Sequence, residues 1–124
     1  MTETLLEPVR TEATAWSRVC ALGDLDVGWG EAALVGPDQV ALFRLAGEEV
    51  VAVDNRDPAT GACVISRGIT GSRHVSGLGE RATVTSPLHK EVYDLATGAC
   101  LTSPALRLRT YATRVRDGYV EVAG

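Results

Sequence analysis

The order of apolar and polar positions along the middle of the chain is typical of β-strands. Three short segments have this composition: 31–35, 39–45 and 49–54. Gly36-Pro37-Asp38 closes the first segment, and Ala46-Gly47-Glu48 separates the other two, which predicts a hairpin. The last two segments are apolar on both faces, as in strands at the centre of a packed β domain, and Phe43 is expected to fill the core.

The C-terminus has the clearest local geometry. Asp117-Gly118 is a strong two-residue hairpin turn. Counting outward predicts four cross-strand pairs: Arg116 with Tyr119, Val115 with Val120, Arg114 with Glu121 and Thr113 with Val122. One face of this hairpin then carries valines, and the other carries opposite charges and an arginine able to stack on the tyrosine.

The rest of the chain favours loops and turns over helices. No long window repeats apolar residues at helical spacing, and one helical turn is expected over 23–29. Residues 55–85 contain five glycines, which predicts a looped excursion between strands: Gly61, Gly68, Gly71, Gly77 and Gly79. Long loops on a rigid β frame often carry function. The predicted fold class is all-β, with antiparallel strands forming a sandwich or barrel.

Composition narrows the possible functions. The 124 residues suit one domain over 16–124, preceded by a short polar tail over 1–15. The net charge of −4 argues against a nucleic-acid-binding protein, which needs a basic surface. No apolar run approaches the roughly 18 residues of a membrane span, and the N-terminus has acids where a signal peptide has bases. A cytoplasmic protein is expected.

The cysteines do not suggest a site of their own. Cys20, Cys63 and Cys100 are odd in number and far apart in sequence. This pattern favours neither a disulfide framework nor a zinc site. They are expected to be small, mostly buried residues.

The order of two proline turns within the β pattern resembles a known family. A strand ending in AVDN precedes a turn at Pro58, and the glycine-rich segment follows. A second turn, SPLH, then leads into EVYDLATGACL and the closing hairpin VRDGYVEV. This order resembles the Rieske-type ferredoxin domain over most of residues 16–123. The resemblance implies a Rieske-like β-sandwich or barrel in which two loops grip a [2Fe–2S] cluster through two cysteines and two histidines.

Carried onto this sequence, the resemblance leaves the cluster site almost without ligands. The first loop has Asp57 at the cysteine position and Ala59 at the histidine position. The second loop has Ser86 at the cysteine position and keeps His89. Asp57 and Ser86 offer hard oxygen where the cluster needs thiolate. His89 is expected to be partly buried and hydrogen-bonded to a neighbouring loop, and the cluster site is expected to be empty.

A rearranged metal site is the alternative within the chain. Cys63 lies near the first loop, Cys100 follows the second turn, and His74 lies in the glycine-rich segment. Cluster sites depend on preset ligand geometry, and these positions would have to converge from places where the fold does not aim them. An empty site is therefore the preferred interpretation.

Ten positions in the two loops resemble one branch of this family, the small subunit of assimilatory NAD(P)H-dependent nitrite reductase. They are Asp57, Pro58, Gly61, Ala62, Ser66, Arg67, Gly68, Ser86, Pro87 and Lys90. The resemblance implies an accessory subunit without a cofactor of its own. Its expected partner is a large subunit carrying FAD, an iron–sulfur cluster and sirohaem, which reduces nitrite to ammonia.

Two other functions stay open from the sequence. One is a Rieske-type ferredoxin, an electron carrier with unusual ligands. The other is a free-standing binding module that uses the fold. For the accessory subunit, the resemblance places docking at the loop tips, with mixed charge around a small apolar centre: Arg56, Pro58, Arg67, Pro87, Leu88 and Lys90.

Overall fold

The computed structural model describes residues 15–123. The polar tail predicted over 1–15 lies, apart from its last residue, outside this range. Ten strands follow one another in the described residues: β1 (Trp16–Ala21), β2 (Gly30–Val35), β3 (Asp38–Arg44), β4 (Val50–Asp54), β5 (Ile69–Val75), β6 (Gly79–Thr85), β7 (Val92–Asp94), β8 (Thr110–Tyr111), β9 (Thr113–Arg116) and β10 (Tyr119–Ala123).

The strands form three antiparallel sheets. Their orders are β1-β10-β9, β2-β3-β4-β8 and β5-β6-β7. The all-β prediction is therefore confirmed, and the three segments predicted in the middle of the chain are β2, β3 and β4. Their predicted ends differ from the observed ones by at most one residue.

The sheet that contains β3 and β4 is buried on both faces. Val40 and Leu42 point into one hydrophobic cluster, which also holds Val120 of β10. Ala41 and Phe43 point into the other cluster, where Tyr93 of β7 packs. This arrangement explains why β3 and β4 are apolar at successive positions: side chains alternate between faces, and each face has a core to fill. Phe43 is fully buried, as predicted.

The C-terminal hairpin has the predicted register. All four cross-strand pairs between β9 and β10 occur as counted from the turn. The Arg114 guanidinium donates to the Glu121 carboxylate at 2.6 Å. Tyr119 is covered by Arg18 of β1, whose guanidinium carbon lies 4.4 Å from the ring centroid. The arginine that stacks on this tyrosine therefore comes from a third strand, which only the sheet order reveals.

The looped excursion predicted over 55–85 is wrong for its second half. β5 and β6 form a regular hairpin there, paired from Ile69 with Thr85 to Val75 with Gly79. Most residues of β5 are exposed, so the strand lacks the alternation of apolar and polar residues by which a half-buried strand is recognised. The first half, over 55–68, is a loop containing the short 3₁₀ helix Ile65–Arg67.

Helical structure is limited to single turns in the described residues. The turn predicted over 23–29 is a 3₁₀ helix at Leu22–Asp24, so it begins one residue earlier and is shorter. No helix within residues 15–123 is long and apolar enough to cross a membrane.

Candidate functional site

The first loop is anchored by Asn55, which follows β4 directly. Asn55 is buried, and its amide nitrogen donates to the Gln39 side chain at 3.1 Å. The side-chain amide oxygen of Asn55 accepts a hydrogen bond from the backbone N–H of Ser66 at 2.7 Å. The backbone carbonyl of Asn55 accepts a hydrogen bond from the backbone N–H of Ile65. One side chain thus ties the start of the loop to the 3₁₀ helix at its end. Sequence analysis did not single out Asn55.

Asp57 lies at the centre of the first loop and is fully buried. Its backbone N–H donates to the carbonyl of Ala62, and its own carbonyl accepts from the N–H groups of Thr60 and Gly61. One carboxylate oxygen accepts from the backbone N–H of Ala59 at 2.8 Å. These bonds make the turn around Pro58 self-contained, because the aspartate supplies acceptors that the turn backbone needs.

The second carboxylate oxygen of Asp57 reaches across to the second loop. Ser86 Oγ donates to Asp57 Oδ2 at 2.5 Å, and both residues are fully buried. The backbone of Ser86 is held in turn by Glu91 and Lys90. A direct hydrogen bond therefore joins the two residues that the resemblance to a Rieske domain places at its cysteine positions.

Tyr93 is a second buried group that sequence analysis did not single out. It is fully buried, and no described residue forms a hydrogen bond with its hydroxyl. Burial and the nearby carboxylate of Asp57 both raise the pKa of Tyr93 well above its ordinary value. The available signal in the sequence was a tyrosine in a short strand, since the hydroxyl of a buried tyrosine usually has a hydrogen-bond partner.

The donors at this site do not fit a [2Fe–2S] cluster. Ser86 Oγ and Asp57 Oδ2 are hydrogen-bonded at 2.5 Å, so an ion cannot lie between these two oxygens. Ala59 has no side-chain donor, and it is exposed, as is His89. Carboxylate and hydroxyl oxygens are hard ligands, whereas iron–sulfur clusters are held by thiolates and imidazoles. In residues 15–123, no three His, Cys, Asp or Glu side chains converge on a possible metal site.

Two expectations about individual side chains are wrong. His89 is exposed rather than partly buried, because it lies on the tip of the turn at 87–89. Cys63 is exposed as well, whereas Cys20 is partly buried and Cys100 is buried. His74, on β5, lies 3.6 Å from the Glu80 carboxylate across the hairpin. The alternative ligands Cys63, Cys100 and His74 are not brought together.

The two loops that the hydrogen bond between Asp57 and Ser86 joins also carry exposed residues. All six residues expected at a docking surface are exposed: Arg56, Pro58, Arg67, Pro87, Leu88 and Lys90. Half of the Leu88 surface is accessible to solvent. The site thus consists of a buried hydrogen bond between the loops and a rim of cations, prolines and one leucine, which we call the loop rim.

Comparison with known proteins agrees with this geometry. Residues 15–123 match the family described as the Rieske-like [2Fe-2S] domain. A nitrite reductase (NADH) small subunit from Salmonella typhimurium is 36% identical over 110 residues, which cover 88% of this chain and 97% of that protein. The chain belongs to the Rieske-like family, in its nitrite reductase small-subunit branch. The predicted resemblance is confirmed.

Solved structures of Rieske-like proteins support the fold independently. A crystal structure from Mycobacterium tuberculosis, of a candidate NADH-dependent nitrite reductase small subunit, superposes with a TM-score of 0.80 at 42% identity. The superposition covers 89% of this chain and 95% of that one. The three antiparallel sheets are therefore the Rieske-like architecture.

A third relative carries a Rieske-like segment within a much longer chain. The protein, from Klebsiella oxytoca, is named nitrite reductase NAD(P)H large subunit. It is 34% identical over 107 residues, which are 86% of this chain and 11% of that protein. In that protein, a domain similar to this one is part of the large-subunit polypeptide.

Proposed function

We propose that this chain is the accessory small subunit of a cytoplasmic NAD(P)H-dependent nitrite reductase, which reduces nitrite to ammonia. It docks on a large catalytic subunit and has neither a cluster nor an activity of its own. The proposal is supported by the sequence identity of 36% with a nitrite reductase small subunit, along 97% of the length of that protein. The Klebsiella oxytoca protein, in which the domain and a large subunit share one chain, supports the same partner.

The buried hydrogen bond between Asp57 and Ser86 carries the proposal. A Rieske ferredoxin relays electrons through a cluster held by soft ligands. Here the two thiolate positions hold hard oxygens that are bonded to each other and fully buried. Such a site has no group that changes oxidation state. The chemistry of the ligand positions therefore favours a docking role over electron transfer.

Co-purification with the native large subunit tests this function. We expect the two chains, produced together with one of them tagged, to elute as one complex in size-exclusion chromatography. If two folded chains stay separate at micromolar concentration, the accessory-subunit proposal is wrong. A free-standing binding module would then be the better interpretation.

We further propose that the loop rim is the docking surface. Its residues are exposed, and Leu88 stands among cations and prolines. A small apolar centre with a charged periphery is typical of protein interfaces. The buried pair beneath holds both loops in place, so that they bind without first becoming ordered, which lowers the entropic cost of association.

The double variant Leu88→Asp with Lys90→Glu tests this surface. We expect it to weaken binding of the large subunit about tenfold or more, because it replaces the apolar contact and reverses one charge. Isothermal titration calorimetry measures the affinity, and circular dichroism checks the fold.

The matched control lies at the far end of the β5–β6 hairpin. It is the double variant Leu78→Asp with Arg73→Glu, which replaces an exposed leucine by aspartate and reverses one positive charge, as the test variant does. Leu78 is 56% exposed, compared with 50% for Leu88. We expect this control to bind normally. Undiminished binding by the folded Leu88/Lys90 variant would place the interface elsewhere, such as the hairpin face with Arg114, Arg116 and Tyr119.

A further inference from the structure

A groove opens beside the loop rim. It has a volume of about 550 Å³ and lies between the segment that leads into β2 and the segment that leads into β5. Its lining residues come from these two segments: 27–30 and 66–70. Arg67 belongs both to this groove and to the loop rim. None of the four cluster-ligand positions of the Rieske resemblance, 57, 59, 86 and 89, lines the groove.

The groove exposes large apolar side chains. Trp29 is 71% exposed, Ile69 is 76% exposed and Val27 is 57% exposed. Scattered apolar residues are normal on a protein surface, but several around one concavity mark an interaction site. Tryptophan and arginine are also the residues that most often dominate binding energy at interfaces. The composition therefore favours a protein partner.

The walls of the groove are already fixed in the isolated chain. Thr70 Oγ1 donates to the carbonyl of Gly28 at 2.6 Å and so joins the two walls. A Cβ at Gly30 would lie 2.3 Å from the carbonyl oxygen of Ser66, and one at Gly68 would lie 2.5 Å from that of Thr85. Glycine at both positions lets backbone pack on backbone. A preformed groove binds with little reorganisation.

Arg67 gives the groove a positive charge. It is the charged residue among those that line the groove, and its guanidinium takes part in none of the ion pairs within residues 15–123. An exposed arginine beside apolar side chains suits a carboxylate on the partner, because its planar fork binds carboxylates through two donors.

The groove lies next to the start of the second loop along the backbone. Ile69 pairs with Thr85 at the end of the β5–β6 hairpin, and Thr85 directly precedes Ser86. A partner bound at the loop rim can therefore also contact the groove, since Arg67 belongs to both surfaces.

We propose that this groove binds a segment of the large nitrite reductase subunit that presents an apolar side chain to Trp29 and Ile69 and a carboxylate to Arg67. The inference rests on the proposed function and extends its docking surface. The Klebsiella oxytoca protein supports this occupant, since the domain there belongs to the same polypeptide as the large subunit.

The test measures binding of the purified large subunit to full-length variants of this chain by isothermal titration calorimetry. Ile69→Asp removes the apolar contact, and Arg67→Glu reverses the charge. We expect each to weaken binding about tenfold or more, as loss of an interface hot spot does. Arg67→Lys keeps the charge but not the planar fork, and we expect it to retain part of the affinity.

Matched variants outside the groove serve as controls. Leu34→Asp changes a strand residue that is 70% exposed, close to the 76% of Ile69. Arg73→Glu reverses an exposed arginine farther along β5. We expect both to bind like the wild type. Circular dichroism and the thermal midpoint show whether each variant is folded.

The outcomes separate this inference from the function on which it rests. If the wild type does not bind the large subunit, the proposed function and the groove are both wrong. If the wild type binds and folded Ile69→Asp and Arg67→Glu bind equally well, only the groove assignment is wrong. Analytical ultracentrifugation could instead show that the chain self-associates and that Ile69→Asp abolishes this. The groove would then bind a second copy of the chain, and the assignment would also be wrong.

Discussion

At the scale of single residues, the site is defined by what has replaced two ligands. The resemblance to a Rieske domain places Asp57 and Ser86 at its cysteine positions, and these two residues form one hydrogen bond between the loops. The carboxylate accepts two hydrogen bonds, from the Ser86 hydroxyl and the Ala59 backbone N–H. The loops are therefore held by ordinary contacts of the chain itself. A buried carboxylate is tolerated because its partners are in place.

Ser86→Ala tests this link. The change leaves one oxygen of a buried carboxylate without its donor, and loss of one partner of a buried group costs about 1–3 kcal/mol. We expect the free energy of unfolding in urea to fall by that amount. Ser72→Ala, at an exposed position in β5, is the control and should change little. Equal stability of the two variants would show that the hydrogen bond contributes nothing.

At the scale of elements, specific side-chain contacts join neighbouring strands within a sheet. Arg81 of β6 donates to Asp94 of β7 at 2.8 Å, and Asp94 also accepts from the backbone N–H groups of Ala96 and Thr97. Asp94 thus fixes both the pairing of two strands and the turn that follows. On the opposite side of the molecule, Glu121 of β10 accepts from Arg18 and Arg114 and joins three strands.

Asp94 predicts a dependence of stability on pH. Burial raises the pKa of Asp94, but the hydrogen bonds from Arg81, Ala96 and Thr97 outweigh it and leave that pKa below its ordinary value. A lowered pKa in the folded state stabilises the fold above about pH 4, the ordinary range for aspartate. The contribution is lost as pH falls through the folded-state pKa.

The comparison of wild type with Asp94→Asn isolates this contribution. We expect the stability difference between the two proteins to be largest near neutral pH and to shrink as pH falls below about 4, since only the wild type loses the carboxylate. Urea unfolding at a series of pH values measures it. A difference that stays constant across this range would contradict the assignment.

The two-sided central sheet gives a prediction about packing. Leu42 of β3 is 1% exposed, whereas Leu34 of β2 is 70% exposed. Leu42→Ala should lower the free energy of unfolding by about 2–5 kcal/mol, because it removes buried methyl groups and leaves a cavity. Leu34→Ala should change it by less than about 0.5 kcal/mol. Urea unfolding of both variants is the measurement, and similar losses would contradict the layered core.

At the scale of the whole molecule, this Rieske-like fold combines a two-sided core with two loops that are bonded to each other. The core lies on both faces of the central sheet, and the paired loops and the groove lie beside each other at the surface. The fold is stabilised by packing between the sheets and by hydrogen bonds such as that of Asp57 with Ser86. This arrangement is consistent with the docking role that we propose for the two loops.

This view predicts that the purified chain is colourless. We expect it to contain no stoichiometric iron or acid-labile sulfide, because three of the four ligand positions hold hard oxygens or a methyl group and only His89 keeps a suitable ligand. We also expect a chelator to leave the thermal midpoint unchanged. Iron–sulfide absorption bands with near-stoichiometric iron, or a clear fall in the midpoint on chelation, would favour the ferredoxin alternative.

The sequence by itself determined the elements whose signals are local. Asp117-Gly118 set the register of the last hairpin, because a two-residue turn leaves one way to count the pairs. Apolar residues on both faces identified β3 and β4 as central strands. The resemblance of the two loop motifs to a Rieske domain singled out Asp57 and Ser86, because the spacing of residues within a loop is local as well.

Only the tertiary structure decided which distant groups meet. The bond between Asp57 and Ser86 joins residues 29 positions apart, and the Arg18 stack on Tyr119 joins β1 to β10. The β5–β6 hairpin was missed because an exposed strand has no hydrophobic alternation. The groove was missed because its walls come from 27–30 and 66–70, which only the packing of glycine backbones brings together. Contacts of this kind depend on how the sheets are layered, and no local pattern of residues encodes that.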